Sequence, residues 1–508
     1  MNHWRSSVPT NEAQAKNRRV VIENVLHMHP GVREAALVDD GSGGFVAFVV
    51  PDDSYMDEAL GRGTAGSTVL GKWQKTFDLS QLNKEAGAAP VGFNTIGWNS
   101  SYTRSAIPLG DMREWVENTV GDILQLRPRV VCEVGCGTGM LLMQVAPCCD
   151  RYVAVDFSPV VLDRLRAQLR TVPAIAERVE VLERKAGDLE GLDENSFDTV
   201  VVNSVVQFFP NVAYLTKVLE SAISAVKPGG HVFIGDVRSL PLLQAFGTSV
   251  ELFQAADELS VGELRDRIRR RVDREPELVL SPAYFLSLKH KFPKISRVDI
   301  RPLRGHADNE MTRFRYSAIL HIDHDDSAHI DGEFLDWTER KWGLDEIRSM
   351  LKQHPNQRIG LKGIRNARLE EDLAAMAILD GADAADTAGK LRQRLEQGAD
   401  EGIHPQALLD LEAESLGFKV FLSLAASRSD GSYDACLIPA KEQKGTTSPA
   451  INWPEPAASA FAHFANVPGQ ARMRSELTDQ LMAHCNQYLP QDSVPRKIIL
   501  VDMLERNA

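Results

Sequence analysis

Val130-Val131-Cys132-Glu133-Val134-Gly135-Cys136-Gly137-Thr138-Gly139 sets the reading of the whole chain. The run from Val130 to Val134, entered from Arg127-Pro128-Arg129, has the length of a buried strand. Glycines follow at once, and Met140-Leu141-Leu142-Met143-Gln144-Val145 then reads as a helix. A strand, a glycine loop and a helix in succession let backbone approach a ligand closely at a helix N-terminus. Nucleotides in general are held this way, so the loop alone leaves the ligand open. A dinucleotide fingerprint has Gly-x-Gly-x-x-Gly. Here the third glycine comes one residue early, and Met140 stands where that fingerprint has Gly or Ala.

Outward from the loop, the next strand, Arg151-Tyr152-Val153-Ala154-Val155-Asp156, ends in an acid 21 residues after Gly135. A carboxylate there can accept hydrogen bonds from both ribose hydroxyls of a nucleoside. A third strand leads to Gly187-Asp188-Leu189, and a fourth runs from Phe197 to Asn203. Lys227-Pro228-Gly229-Gly230 precedes a strand from His231 to Asp236. From Val130 to about Leu320 short apolar runs alternate with helical stretches, which predicts an α/β domain with a parallel sheet covered by helices.

The pattern Glu-x-Gly-x-Gly-x-Gly resembles motif I of class I (Rossmann-like) methyltransferases. That resemblance implies S-adenosylmethionine as cofactor. Glu133, Gly135, Gly137, Thr138 and Gly139 would wrap its methionine part. Asp156, with Phe157 and Ser158, would hold the ribose, Gly187, Asp188 and Leu189 the adenine, and Asn203 would end beside the cofactor. A doubly wound domain with another nucleotide ligand is the alternative.

A closer resemblance lies outside the loop. Phe93-Asn94-Thr95-Ile96-Gly97-Trp98-Asn99-Ser100-Ser101-Tyr102-Thr103, Asn203-Ser204-Val205-Val206-Gln207-Phe208-Phe209-Pro210, Gly235-Asp236-Val237-Arg238-Ser239-Leu240-Pro241 and Asn309-Glu310-Met311-Thr312-Arg313-Phe314-Arg315-Tyr316 resemble methyltransferase domains of nonribosomal peptide synthetases. Where many relatives carry His after Ala-Phe, this chain has Gly247, which removes one candidate base. The match covers roughly Trp73 to Ile438. Both flanks resemble the C-terminal subdomain of an adenylation domain, at Val20–Pro51 and from Leu489-Pro490 onward.

The expected organisation is therefore an adenylation-type first part at 18–55, a methyltransferase domain at 73–440, and the second adenylation-type part at 460–508. The methyltransferase would divide into a cofactor core at about 115–325 and a mostly helical extension at about 326–440. The Gly-, Ser- and Asp-rich stretch 52–72 and residues 442–457 read as linkers. Residues 1–17 read as loose. The chain ends at Asn507-Ala508 before the lysine motif that this family uses for adenylation, so it is not expected to adenylate alone.

The resemblance implies N-methylation of an aminoacyl group held as a thioester on a phosphopantetheinylated carrier protein, with other synthetase domains as partners. Six side chains are candidates for the chemistry. Asp236, at a strand's C-terminal end, would receive the amine proton or orient the ammonium, or else cap a helix or pair with Arg238. Gln207 would hydrogen-bond the substrate amide, and Tyr102 would close over the methyl group. Glu310 and Arg313, in a strand-like motif, would position the aminoacyl carbonyl or phosphopantetheine, or simply pair with each other. O- or C-methylation, and a silent docking module, are the competing functions. His306 and His321 read as lone structural or exposed histidines.

Composition sets outer bounds. The chain has 508 residues, with 43% hydrophobic and 25% charged, as in ordinary globular proteins. A net charge of −13 argues against nucleic acid or an anionic membrane as partner. The arginines from Arg265 to Arg271 are a local exception, read as a solvated helix face or a docking patch. The six cysteines form no zinc-type spacing, so no metal site is expected, and their low number fits a reducing cytoplasm. No apolar stretch is long enough to span a membrane.

Overall fold

The computed structural model describes residues 11–41, 44–59, 71, 74–75, 78–79, 92–188, 194–324, 329–330, 333–396, 402–414, 416–442, 449–461, 463–501 and 503–504. The chain forms two compact units, Met1–Gly71 with Pro468–Ala508, and Lys72–Val467.

In the first unit the two chain ends share one sheet. Phe45–Pro51 lies between Val32–Asp39, antiparallel to it, and Lys497–Leu500, parallel to it. Helices Asn11–His27 and Gln470–Tyr488 contribute Ile22, Leu26, Leu477 and Leu481 to the core beneath that sheet. The first helix stops before His29-Pro30-Gly31, as a proline–glycine breaker requires. It begins at Asn11, so part of the segment read as loose is helical. The stretch read as a linker opens with a further helix, Asp53–Ala59, while residues 60–70 lie outside the described residues.

The second unit is built on a seven-stranded sheet. Its strands are β1 (Val130–Val134), β2 (Arg151–Asp156), β3 (Val179–Glu183), β4 (Phe197–Asn203), β5 (Val226–Arg238), β6 (Ile295–Pro302) and β7 (Arg315–Ile322). They lie in the order β3-β2-β1-β4-β5-β7-β6. The first five run parallel, while β7 is antiparallel to both of its neighbours. Both faces are covered, which explains the continuous apolar strands. Cys132, Val153, Val200 and Val202 pack on one face, and Val131, Ala154, Val201 and Phe233 on the other.

The extension holds the expected helices at Leu344–Gln353, Glu370–Gly381 and Ala388–Leu395. It also holds a four-stranded sheet in the order Phe334–Asp336, Ile359–Ile364, Tyr433–Pro439, Phe418–Ser423. The sequence hides part of that sheet because Gly360 and Gly363 interrupt the strand at 359–364. Within the second expected linker, Ala450–Ile451 pairs with His329–Ile330. The arginine run lies on helix Val261–Asp273, where Arg267 pairs with Glu263 at 2.9 Å and Arg271 with Glu251 at 2.7 Å. Among the described residues no helix is long and apolar enough to cross a membrane.

Candidate functional site

The loop after β1 turns on glycine. Gly135, Gly137 and Gly139 have φ of 76°, 51° and 82°, a left-handed region that costs other residues roughly 1–2 kcal/mol. Space is equally restrictive at Gly135, where a Cβ would sit 2.4 Å from Val205 Cγ2. The amides of Gly135 and Cys136 donate to the Val155 carbonyl at 2.7 and 3.0 Å, tying the loop to β2.

Asp156 completes that tie. Its Oδ2 accepts from the Gly137 amide at 2.9 Å and its Oδ1 from the Ser158 amide at 3.0 Å. Each carboxylate oxygen retains a second lone pair for a ligand hydroxyl. Burial raises its pKa, against the pull of those amides. Ser158 caps helix Pro159–Leu169 by accepting from Val161 at 3.2 Å, and its hydroxyl donates to Asp78 at 2.5 Å. The Phe157 carbonyl accepts from Gln74 at 3.0 Å. Thr138 is half-buried in the loop. Glu133 is partnered inside the protein, where the Tyr152 hydroxyl donates to its Oε2 at 2.8 Å, and burial pushes its carboxyl up to about 8.

At the end of β3 the Gly187 amide donates to the Tyr214 hydroxyl at 3.0 Å, and a Cβ there would meet that hydroxyl at 2.9 Å. Asp188 is exposed beside this turn. Leu189 lies outside the described residues.

The ends of β4 and β5 meet beside the loop. Asn203 is in register with Gly235, and a Cβ on Gly235 would stand 2.0 Å from Asn203 Oδ1. The next residues, Ser204 and Asp236, both adopt left-handed φ, 55° and 59°. Strain of this kind, of order 1–3 kcal/mol per residue, collects at functional sites. The Ser204 hydroxyl donates to Asp236 Oδ2 at 2.7 Å, and Arg315 Nη1 donates to the same oxygen at 2.7 Å. Burial raises the Asp236 pKa, while Arg315 and Ser204 pull it down. Among the described residues, Asp236 Oδ1, Asn203 Oδ1 and Gln207 Oε1 are buried with no hydrogen-bond partner.

Two expectations about partners and one about local structure change. Asp236 does not pair with Arg238. Arg238 turns to Glu275 at 2.7 Å and Glu277 at 2.6 Å, stacked 5.1 Å from the Phe246 ring. Glu310 and Arg313 do not pair with each other, and they lie on a helix, Glu310–Phe314, that precedes β7. The reason is a capping box, in which Asn309 and Thr312 close the first turn. Glu310 accepts from the Ser101 amide at 2.7 Å and the Ser101 hydroxyl at 2.9 Å. Arg313 pairs with Asp372 and approaches the Ser249 hydroxyl at 3.5 Å. The Tyr102 hydroxyl lies 3.0 Å from that same Ser249 oxygen, its ring edge-on to Phe253, and burial pushes it up to about 12.

Thus Asp236 and Glu310 are linked through Arg315, which lies 3.8 Å from Glu310, while Tyr102 and Arg313 meet at Ser249. Sequence reasoning did not single out Ser204, Arg315, Ser249 or Tyr214. Ser204 directly follows the Asn203 strand end, a usable signal, but the Ser249 and Tyr214 contacts carry none. A cleft of about 660 Å³ elsewhere, lined by Lys362, Arg365 and Arg428, belongs to the extension rather than to the cofactor loop.

The glycine cradle and the unpartnered Asn203 oxygen fit a nucleoside ligand that brings donors to the ends of β1 and β4. Fold and loop together define a class I methyltransferase domain dependent on S-adenosylmethionine, and residues 132–232 match the family model described as a methyltransferase domain. Relatives of the chain include peptide synthetases. Chondramide synthase cmdD of Chondromyces crocatus is 37% identical over 94% of this chain and 12% of its own length. The probable non-canonical nonribosomal peptide synthetase CymA of Salinispora arenicola is 30% identical over 95% of the chain and 6% of its own length. The beauvericin nonribosomal cyclodepsipeptide synthetase of Beauveria bassiana is 28% identical over 96% and 16%. The chain therefore spans a small part of each of these relatives. Among solved structures, the N-methyltransferase NodS of Bradyrhizobium japonicum WM9 with S-adenosyl-L-homocysteine aligns over 44% of this chain and 100% of its own, with a TM-score of 0.28 and 14% identity.

Proposed function

We propose that the domain methylates the α-amine of an aminoacyl thioester carried on a phosphopantetheinylated carrier protein. The observation that carries this reading is the pair of unpartnered buried acceptors Gln207 Oε1 and Asp236 Oδ1, beside the Asn203 oxygen left to the cofactor. A buried acceptor left without a donor costs about 1–3 kcal/mol, so the site favours a ligand rich in donors. A neutral amine brings two N–H groups and an ammonium three, a hydroxyl one, and a carbon nucleophile none. Such surroundings favour nitrogen over oxygen or carbon as methyl acceptor. The intact glycine loop argues against a silent docking module.

S-adenosylmethionine supplies, when bound, a methyl group on a sulfonium centre. The chain supplies orientation and the handling of one proton. Its glycine loop, whose turns leave room for close approach, and Asp156 form the cofactor end of the site, with Phe157, Ser158, Gly187 and Asp188 around it. Ser204 and Arg315 fix Asp236 through Oδ2, leaving Oδ1 for the amine. An α-amine titrates near ~7.7–8.0, so much of it arrives as ammonium. Asp236 accepts its N–H, and the raised pKa makes this carboxylate a better proton acceptor than an exposed one. Gln207 receives a second N–H. Glu310 pins Ser101 and thereby the segment bearing Tyr102. Arg238 and Arg313, each committed to carboxylates, act as positioning residues.

The names of the relatives support a synthetase setting, and their matches cover 94% and 95% of the chain. The first unit would then be an adenylation-type subdomain, split by the methyltransferase and facing other synthetase domains. All six cysteines are free thiols, in keeping with a reducing cytoplasm. To test the function, the protein is incubated with S-adenosylmethionine and carrier proteins loaded with single amino acids, and the product is fragmented in a mass spectrometer. A methyl on the α-nitrogen is expected, and a methyl on a side chain would overturn the reading.

A further inference from the structure

His231 on β5 faces His321 on β7 across the antiparallel pair, and His324 follows two residues beyond the end of β7. Their ring centroids stand 5.0, 4.7 and 5.2 Å apart. One nitrogen from each ring lies within 4.8 Å of the other two. We propose that these histidines bind a divalent transition ion of the zinc class, away from the cofactor loop. Along β5, His231 and Asp236 stand five positions apart, roughly 16 Å at about 3.3 Å per residue.

The hydrogen bonds assign the tautomers. His321 Nε2 lies 3.2 Å from Asp299 Oδ2, and His324 Nε2 lies 3.2 Å from the Gly230 carbonyl. Both nitrogens therefore carry hydrogen, and each Nδ1 keeps a lone pair. The ring of His231 makes no hydrogen bond among the described residues. A carboxylate behind a ligating imidazole is the usual outer support of such sites. Thr199 is in register with His231 on the neighbouring strand, and its buried hydroxyl has no partner among the described residues. It is placed to meet a metal-bound water. His324 is only half-buried, which gives an ion its entry path and an open fourth position.

Two features oppose binding and set its strength. Metal–nitrogen bonds of ~2.0–2.1 Å put tetrahedral ligand nitrogens about 3.4 Å apart, so the rings must close in by up to about 1.4 Å. Arg297 Nη2 also lies 3.1 Å from both nitrogens of His321, so an ion must displace this guanidinium from the Nδ1 lone pair. Arg297 Nε keeps Asp299 Oδ1 at 3.1 Å, and Arg301 holds Oδ2 at 2.9 Å. With these cations nearby, the affinity is expected to be micromolar rather than nanomolar. Imidazole donors suit zinc, copper and nickel over magnesium or calcium.

The test uses the full chain, free of any affinity tag and treated with chelator. Zinc is titrated by calorimetry and cobalt by visible absorption. One equivalent of zinc and the visible bands of tetrahedral cobalt are expected. His324→Ala, at a partly exposed strand end, should weaken both by about tenfold or more, while circular dichroism stays unchanged. His306→Ala, at an exposed site elsewhere, should change neither. Absence of saturable binding, or binding that survives His324→Ala, would overturn the proposal and leave the three rings as packing alone.

Discussion

Glu133 and Asp156 lie on neighbouring strands, and burial raises both carboxyls. For Glu133 the consequence is measurable. Its folded value of about 8 lies well above the ordinary glutamate value of ~4.3, so the folded state holds a proton that the unfolded chain releases first. The stability from this group is full below pH ~4.3 and is lost as pH rises through about 8. Urea unfolding of the protein without cofactor should show stability falling across that window. Glu133→Gln should flatten that part of the profile, and an unchanged slope would show that Glu133 is ionised in the fold. Residues of the loop were legible in the sequence because backbone contact with a ligand demands glycine at fixed spacing. Ser204, Arg315 and the partner of His321 were not. Their roles depend on which strand lies beside which, and His231 meets His321 only through the register of β5 and β7.

Helix Glu310–Phe314 shows how one turn aims a site. Asn309 accepts from the amides of Met311 and Thr312 at 2.9 and 3.3 Å, and Thr312 Oγ1 accepts from the Asn309 amide at 3.2 Å. This fixes the turn that presents Glu310 to Ser101 and leads β7 in at Arg315. Asn309→Ala should cost about 1 kcal/mol, read as a lower urea midpoint with unchanged slope. A midpoint equal to that of the parent would mean the cap does not hold the turn. The segment read as strand-like because Met311, Phe314 and Tyr316 are apolar and only five residues intervene before β7. A helix this short leaves no periodicity to detect, and only the Asn-x-x-Thr spacing marks it. Two strands of the sheet in the extension, at 418–423 and 433–439, are legible as apolar runs, while the strand at 359–364 escapes because glycines replace apolar residues in it.

At the scale of the whole molecule, the chain ends form one unit and residues 72–467 another. In the sequence the flanks are set apart by their resemblance to an adenylation subdomain and by the linker-like composition beside them, so an approximate division was legible there. The exact joins were not, as helix Asp53–Ala59 occupies a stretch whose composition reads as linker. Residues 72–467 contain two large apolar clusters of their own, on either face of the seven-stranded sheet. Expressed alone, they should unfold cooperatively and bind S-adenosylmethionine within about threefold of the full chain. Failure to fold would show that the methyltransferase depends on the split unit. The proposed function turns on one carboxylate oxygen, Asp236 Oδ1. Single-turnover methylation of an aminoacyl carrier protein, measured beside the Kd for S-adenosylmethionine, separates binding from chemistry for Asp236→Asn. The expected result is an unchanged Kd and a rate lower by about 10²-fold or more, and a rate within about threefold of the parent would contradict Asp236 as the acceptor of the amine proton.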